Sequence, residues 1–267
     1  MTNLPHYLRY KNPPIQERVI TAVPSVRLSR EEFLIRSEKW KVLVKEKFPH
    51  FVPQTDWRIN IEQKDGGPPT FTSGGPEMEI RHWFWKQQSI PPKGLGLQSN
   101  VDKFSVNLVR DGDRVFSFEE AFSTFSEWLP LWATTFGAQK FGGFVLNYVN
   151  IINQQTVPNF VKNGRIEIGR ILNIFSNIPV HSVSMVAPYD CQLNFLVEET
   201  IPCSARVHVR AILNGIQMDL QMSSIKEGKE VPITEFNKEI IILHHWIVSY
   251  FEGLFTQEAK VSFGTIQ

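Results

Sequence analysis

The sequence lacks the features that would place the protein outside the cell or in a membrane. It has only two cysteines, Cys191 and Cys203, without a framework of paired spacings, which favours a reducing compartment. The first sixteen residues contain no apolar segment of the kind found in signal peptides. No run of about 18 apolar residues occurs, so no membrane span is predicted. We therefore expect a cytoplasmic protein with no membrane partner.

A surplus of positive charge is also missing. Lys and Arg together number 28 and Asp and Glu 27, which gives a formal net charge of +1. Proteins that bind nucleic acids through their overall field usually carry more positive charge. Nucleic acid is therefore the less favoured partner, although a local basic groove is compatible with this composition.

Motifs for catalysis, metal binding and nucleotide binding are absent as well. There is no G-x-S-x-G elbow or phosphate-binding loop, and Cys203 and His208 lie five residues apart, which places them on opposite faces of a strand. His244 and His245 are adjacent on a predicted helix, and no H-x-x-x-H spacing supports a metal role. We therefore predict no catalytic residues, no metal and no cofactor, and an enzyme is the least supported class.

The 267 residues, 42% of them hydrophobic, suffice for one large domain or two small ones. Capping boxes at Ser29/Glu32 and Ser117/Glu120 each predict the start of a helix, and a third helix is predicted over 235–255. The segment 139–152 predicts a long strand with a bulge at Gly142–Gly143. The segment IEIGRILNIF, 166–175, predicts a further short helix.

The order strand, helix, several strands, helix occurs twice along the chain. This predicts an α+β fold of antiparallel sheets with long helices packed on one face, built from two pseudo-repeated strand-helix-strands-helix halves. The halves are an N-terminal α+β half, 1–137, and a C-terminal α+β half, 138–267. Because no shift in composition marks a linker between them, we expect the two halves to share one core.

The stretch EIRHWFWKQQ, 79–88, concentrates aromatic and basic residues in one predicted strand. Alternation places Ile80, His82 and Phe84 on one side and Arg81, Trp83 and Trp85 on the other. Two Trp beside an Arg could stack bases or sugars, as in single-strand binders. The favoured interpretation is structural, with the Trp rings packed on Phe and Leu side chains from the predicted helices. Arg81, Trp83 and Trp85 nevertheless remain candidate binding residues.

Two further strands supply candidate binding residues. RVHVR places Arg206, His208 and Arg210 on one face, which is either a solvated strand face or a surface for an acidic ligand or partner. In the long strand, polar residues interrupt the apolar pattern and could line a site or pair across the sheet; they are Asn147, Tyr148 and Asn150.

Four segments together resemble a sporadically distributed bacterial protein family of about this length whose function is uncharacterised. They are a P-P-x-x-E motif at Pro13 to Glu17, a Q-x3-D-[RK]-F strand pair with Gln98, Asp102, Lys103, Phe104 and Asn107, an L-x-Y-x-N strand with Tyr148 and Asn150, and the His-containing closing helix. Asn147 stands where the family pattern has Arg. The patchy occurrence of such a family implies mobile genes, such as toxin–antitoxin or phage-defence cassettes.

Three functional hypotheses follow. The leading one is a non-catalytic binding or interaction protein, acting as the antitoxin, accessory or complex subunit of such a cassette, with a protein partner encoded nearby. The first alternative is a small-molecule-binding α+β cup, which the aromatic content of 12% suits. The second is a nucleic-acid-binding component of a defence system.

Overall fold

The computed structural model describes residues 9–10, 13–58, 61–62, 70–71, 77–153, 155–162, 165–173, 190–197, 202–212 and 215–266. The helices in this part of the chain are α1 (Arg30–Val44), α2 (Phe118–Phe136), α3 (Phe236–Leu254) and α4 (Gln257–Ser262). The strands, in chain order, are β1 (Arg9–Tyr10), β2 (Ile15–Pro24), β3 (His50–Arg58), β4 (Ile61–Glu62), β5 (Thr70–Phe71), β6 (Glu77–Trp85), β7 (Gly94–Ser99), β8 (Phe104–Val109), β9 (Lys140–Asn153), β10 (Val161–Lys162), β11 (Arg165–Ile166), β12 (Asp190–Val197), β13 (Cys203–Ile212), β14 (Gly215–Ser223), β15 (Val231–Pro232) and β16 (Thr265–Ile266).

The helix starts follow the predicted capping boxes. Ser29 accepts a hydrogen bond from the backbone of Glu32, and the Glu32 carboxylate accepts one from the backbone N–H of Ser29. Ser117 and Glu120 form the same reciprocal pair at the start of α2. Each box satisfies two backbone donors that the first helical turn leaves without a partner. Both predicted helix starts are confirmed.

A large antiparallel sheet organises the fold, which is α+β with a few helices. Nine of its ten strands run in the order β12-β13-β14-β9-β2-β8-β7-β6-β3, and the tenth, the short β15, pairs with one end of β9. At the centre β2 pairs with β9, so strands from the early and late parts of the sequence meet in one sheet.

The bulge predicted in the long strand is confirmed. The register between β2 and β9 shifts between Val23 and Pro24, opposite Gly143 and Phe141. Gly143 has a φ of 148°, and a Cβ built there would lie 2.7 Å from the backbone of Ile225. Glycine is therefore required at this point, both for the backbone conformation and for the close approach of the neighbouring chain.

Aromatic side chains on one face of the sheet contact the helices. Phe125 of α2 has its ring centroid 5.8 Å from that of Phe104 on β8. Phe236 of α3 lies 6.5 Å from Phe144 on β9. We call this face, which also carries Tyr148 and His82, the inner face, and the opposite one the outer face. Buried aromatic rings of this size contribute much of the apolar burial that stabilises the fold.

One segment of the chain differs from the sequence prediction. The segment 166–175 was expected to be a short helix, but its described part, 166–173, holds the end of β11, a three-residue 3₁₀ turn at Ile168–Arg170 and an isolated β-bridge from Leu172 to Phe255. A 3₁₀ turn satisfies fewer backbone groups than an α-helix and is used in short connections.

No helix in the described ranges is long and apolar enough to cross a membrane.

His82 is a buried histidine of the inner face, 4% exposed. Its ring lies between those of Phe33, at 5.1 Å, and Phe51, at 5.2 Å. Its Nδ1 has no hydrogen-bond partner among the residues that the structure describes. Burial, with a smaller contribution from the positive charge of Lys41, lowers the pKa of His82 to about 4.

His82→Phe should therefore make stability less sensitive to acid. Because the folded-state pKa of His82 lies below its ordinary value of 6.5, its contribution to stability is complete above pH 6.5 and is lost as the pH falls towards 4. We expect thermal denaturation to give equal or higher midpoints for the variant at pH 7 and a growing advantage as the pH falls. Parallel curves for the two proteins between pH 7 and 4 would contradict this assignment.

Candidate functional site

The outer face collects most of the predicted site residues. A row of residues in register runs across it from β13 to β6 and consists of Arg206, Gln221, Asn147, Val19, Asn107, Gly96 and Trp85. A second row, one pleat along, consists of His208, Asp219, Val149, Glu17 and Val109. Neighbouring strands lie about 4.8 Å apart, so each row is a continuous line of side chains. Residues far apart in the sequence thus form one surface.

The two tryptophans of β6 form a stacked pair at one end of this surface. The ring centroids of Trp83 and Trp85 are 5.4 Å apart and the rings are 7° from parallel. Trp85 is 6% exposed and lies over Gly96, where a Cβ would be 2.6 Å from the ring. Trp83 is half-buried, and its Nε1 donates to Gln54 Oε1 at 3.0 Å.

The predicted alternation of this strand is confirmed, but the expected packing partners of the Trp rings are different. The rings were expected to contact helix Phe and Leu side chains, whereas the described contacts are with each other and with Gly96. The inner side of β6 carries His82 and Phe84 instead.

The Arg81 side chain extends along the same face of β6. Its Nε donates to Glu79 Oε1 at 3.1 Å, and Asn100 Nδ2 donates to the same carboxylate oxygen at 2.6 Å. Glu79 is buried, so the side chains of Arg81 and Asn100 donate to this carboxylate where little water reaches it. This ion pair therefore holds the Arg81 side chain against its own strand, β6.

The cationic strand β13 forms the other end of the outer face. Arg206 and Arg210 are exposed, while the alternate residues Val207 and Val209 are buried, as the alternation predicted. Arg206 Nη2 donates to Gln221 Oε1 on the next strand at 2.5 Å. His208 is half-buried and its Nε2 lies 2.5 Å from Asp190 Oδ1 on β12.

The polar residues of β9 divide between the two faces. Asn147 lies on the outer face between Val19 and Gln221. Tyr148 and Asn150 are buried on the inner face, where Asn150 Nδ2 donates to the backbone carbonyl of Tyr148 at 3.2 Å. The structure therefore does not bring Tyr148 and Asn150 into the surface that Asn147 shares with β13 and β6.

Tyr148 belongs instead to a buried aromatic and histidine contact under α3. Its hydroxyl and His244 Nδ1 are hydrogen-bonded at 3.0 Å, and the His244 ring stacks on Phe118 at 3.6 Å. Burial lowers the pKa of His244 to about 3, so this ring is neutral at physiological pH. A neutral, stacked imidazole bonded to a tyrosine is an arrangement that stabilises packing between α2, α3 and β9.

Sequence reasoning missed the polar centre of the outer face. Glu17 is half-buried, and burial raises its pKa to about 7, with a further contribution from the negative charge of Asp219. Asn107 is 2% exposed, and its Nδ2 has no partner among the described residues. Both had appeared only as members of the quoted motifs, and their neighbourhood depends on strand pairing that no local pattern reveals.

No group of three or more His, Cys, Asp or Glu side chains that could hold a metal ion occurs within the described ranges. Cys191 is half-buried and Cys203 buried, and both are free thiols. The carboxylates, carboxamides and guanidinium groups of the outer face offer hydrogen bonding and charge recognition.

Comparison with protein-family models, with curated proteins and with solved structures finds no match for this chain. The family resemblance carried by the sequence motifs therefore stays a prediction.

Gly96→Ala should disrupt the tryptophan pair. The new methyl group would occupy the space of the Trp85 ring, and overpacking of this kind typically costs about 1–3 kcal/mol. We expect a lower urea midpoint and a changed near-ultraviolet circular dichroism spectrum. In a Trp85→Leu background the cost should shrink, because the clashing ring is gone.

Gly253→Ala in α3 is the matched control, since a Cβ there meets nothing within 4 Å. It should be neutral or stabilise the protein by about 0.5–1 kcal/mol, because alanine is the better helix former. Equal effects of the two substitutions would show that the ring does not lie on Gly96.

Glu17→Gln should change the pH dependence of stability. Because the folded-state pKa of Glu17, about 7, lies above its ordinary 4.5, its contribution is complete below pH 4.5 and is lost as the pH rises through 7. The thermal midpoint of the variant should therefore gain on that of the wild type between pH 5 and 8. Asp219→Asn should lower the pKa of Glu17 in a carbon-13 NMR titration, and an unchanged value would contradict the coupling.

Proposed function

We propose that this chain is a cytoplasmic, non-catalytic binding protein whose outer face engages a protein partner. In this proposal the partner is encoded nearby, and the chain is the antitoxin, accessory or complex subunit of a toxin–antitoxin or phage-defence cassette. The observation that carries the proposal is the register that sets Arg206, Asn147 and Trp85 in one row across the sheet. One partner surface could contact all three strands at once.

The exposed groups of this face suit a protein surface. Arg206 and Arg210 present guanidinium groups on β13, which would pair with acidic side chains. Apolar side chains at both ends of the face are exposed, with Leu196 at 80% on β12 and Val52 at 49% on β3. Half-buried aromatic residues such as Trp83 are the type that contributes most to protein–protein interfaces.

The architecture proposed with this function is a pair of pseudo-repeated halves, 1–137 and 138–267, sharing one core with their long helices on the inner face. The strand orders β3-β6-β7-β8-β2 and β12-β13-β14-β9 support it, since each ends on a strand of the central pair. The contacts of α2 with β8 and β2, and of α3 with β14 and β9, support it as well.

A second candidate function is the binding of a small polar molecule, which the centre of the outer face favours. There Glu17 is half-buried, and Asn107 is buried with an unpartnered Nδ2 among the described residues. Buried polar groups without partners are uncommon in folded proteins and frequently mark ligand sites. Nucleic acid is less favoured, because the carboxylates of Glu17 and Asp219 lie on strands between the cationic β13 and the tryptophan pair of β6.

The proposal predicts that charge reversal on β13 will release the partner. Tagged wild-type protein recovered from its native host should retain a stoichiometric protein encoded nearby, with an absorbance ratio that excludes nucleic acid. R206E/R210E should retain at least about tenfold less of it, because both pairing cations are replaced by repelling charges. Quantitative mass spectrometry of the eluates measures the change.

K39E/K45E on the exposed side of α1 is the matched control, with the same change in net charge. It should retain the partner at the wild-type level. Equal losses in both variants, or recovery of the wild type with no stoichiometric protein, would reject the protein-partner function. Recovery with nucleic acid that is lost as salt rises would assign the nucleic-acid function instead.

A further inference from the structure

Glu17 is a carboxylate without an ion-pair partner in the described part of the chain. It lies on the outer face of the central strand β2, half-buried, with no hydrogen-bond or ion-pair partner among the residues that the structure describes. Directly across β9 from it, beyond Val149, lies Asp219, which accepts a hydrogen bond from Gln217 Nε2 at 2.9 Å. The two carboxylates flank Val149 in one row, so they face each other over a single strand.

A carboxamide adds a third oxygen to these two carboxylates. Asn147 precedes Val149 by two residues on the same face, diagonal to both Glu17 and Asp219. Its Oδ1 is buried and has no hydrogen-bond partner in the described part of the chain. Glu17, Asp219 and Asn147 therefore present acceptor oxygens around Val149, and Gln217 Nε2 donates to one of them, Asp219 Oδ1.

A buried donor lies on the other side of Glu17. Asn107, 2% exposed, stands on β8 opposite Val19 and diagonal to Glu17, with its Nδ2 unpartnered within the described residues. An unmade hydrogen bond by a buried amide costs about 1–3 kcal/mol, which a ligand with an acceptor atom would recover. An amide donor without a partner among the described residues therefore lies beside the carboxylates.

The geometry points to a binding site for an organic cation, a guanidinium or primary ammonium group, held between Glu17 and Asp219 with Asn147 Oδ1 as a third acceptor. An oxygen atom of the ligand next to its cationic group would accept a hydrogen bond from Asn107 Nδ2. Glu17 and Asp219 are two strands apart, so their Cα atoms are separated by about 10 Å. This spacing suits a flat group with several hydrogen-bond donors better than a single metal ion. The inference rests on the proposed binding function and names the chemistry at its centre.

Among the described residues, no other charged group of the outer face forms an ion pair with Glu17 or Asp219. On β13, Arg206 donates to Gln221, His208 lies against Asp190 of β12, and Arg210 is exposed beyond Gln217. Arg81 on β6 is bonded to Glu79. β8 and β9 place no charged side chain beside Glu17 on this face, and the neighbouring Arg18 belongs to the inner face, over Tyr148.

The cation has two sources, a free small molecule or an Arg or Lys side chain of the protein partner. Nα-acetylarginine amide is a probe for the shared chemistry, and Nα-acetylcitrulline amide is its neutral isostere. Isothermal titration at pH 7.5 should show saturable binding of the arginine compound and at least about tenfold weaker binding of the citrulline compound. Binding should tighten between pH 6 and 8, as a proton leaves Glu17.

Glu17→Gln should weaken the arginine compound at least about tenfold, since a neutral amide replaces the charge that faces the guanidinium. Glu227→Gln, in the exposed turn after β14, is the matched control and should bind as the wild type does. Equal binding by the two variants, equal binding of both compounds, or no saturable binding by the wild type would each overturn the site.

Partner recovery with the same variants separates this inference from the proposed function. A partner retained by the wild type but lost by Glu17→Gln would identify the cation as a side chain of the partner. A partner retained by Glu17→Gln, together with loss of the arginine compound, would identify it as a small molecule. A partner retained by a wild type that does not bind the arginine compound would reject the cation site and leave the partner function standing.

Discussion

The pairing of β2 with β9 is the interaction on which the rest of the structure depends. The two strands run antiparallel from Ile15 to Pro24, and every other strand of the large sheet is attached outward from one of them. Because side chains alternate between faces, a slip of one residue in this pairing would exchange the inner and outer residues of the strand that moved. The bulge at Gly143 fixes one end of the register, since no larger residue fits against Ile225.

That register has an energetic consequence at the centre of the outer face. It sets Glu17, Asn107 and Asn147 on adjacent strands. The Glu17 carboxyl, Asn107 Nδ2 and Asn147 Oδ1 are each shielded from water there, and none of them has a hydrogen-bond partner among the described residues. Each such group costs of the order of 1–3 kcal/mol, a large part of the stability of an ordinary domain. Apolar residues at the same positions would stabilise the sheet more. The arrangement is therefore understandable if these groups serve recognition rather than folding.

Local patterns predicted local structure well. The capping boxes at Ser29 and Ser117 located two helix starts, and the alternation in RVHVR separated Arg206 from Val207 correctly, because both signals depend on residues a few positions apart. The segment 166–175 was predicted wrongly as a helix, since its apolar spacing fits either type of element. Residues 174–175 of it lie outside the described part.

The candidate site could be predicted only in fragments. Trp83, Arg206 and Asn147 were singled out for their residue types, but nothing in the sequence shows that β6, β9 and β13 lie in one sheet with these residues on the same face. Glu17 carries no local signal of its unusual environment, which comes from Asp219 two strands away. Tyr148 and Asn150 were grouped with Asn147 by proximity in sequence, although neighbours in a strand point to opposite faces.

Although the net charge of the chain is close to zero, positively and negatively charged side chains are separated on the outer face. Guanidinium groups lie on β13, and carboxylates lie toward the centre on β2 and β14, with the tryptophan pair at the far end. Glu17 and Asp219 lie one pleat from the row that joins Arg206 to Trp85, so a nucleic acid strand that followed this row would run beside two carboxylates, which disfavours phosphate. A partner that places acidic groups against β13 and a cation against Glu17 and Asp219 would complement the charges of this face. Such a pattern of both charges favours a partner in one alignment and gives little long-range attraction, as expected for a protein with a net charge of +1.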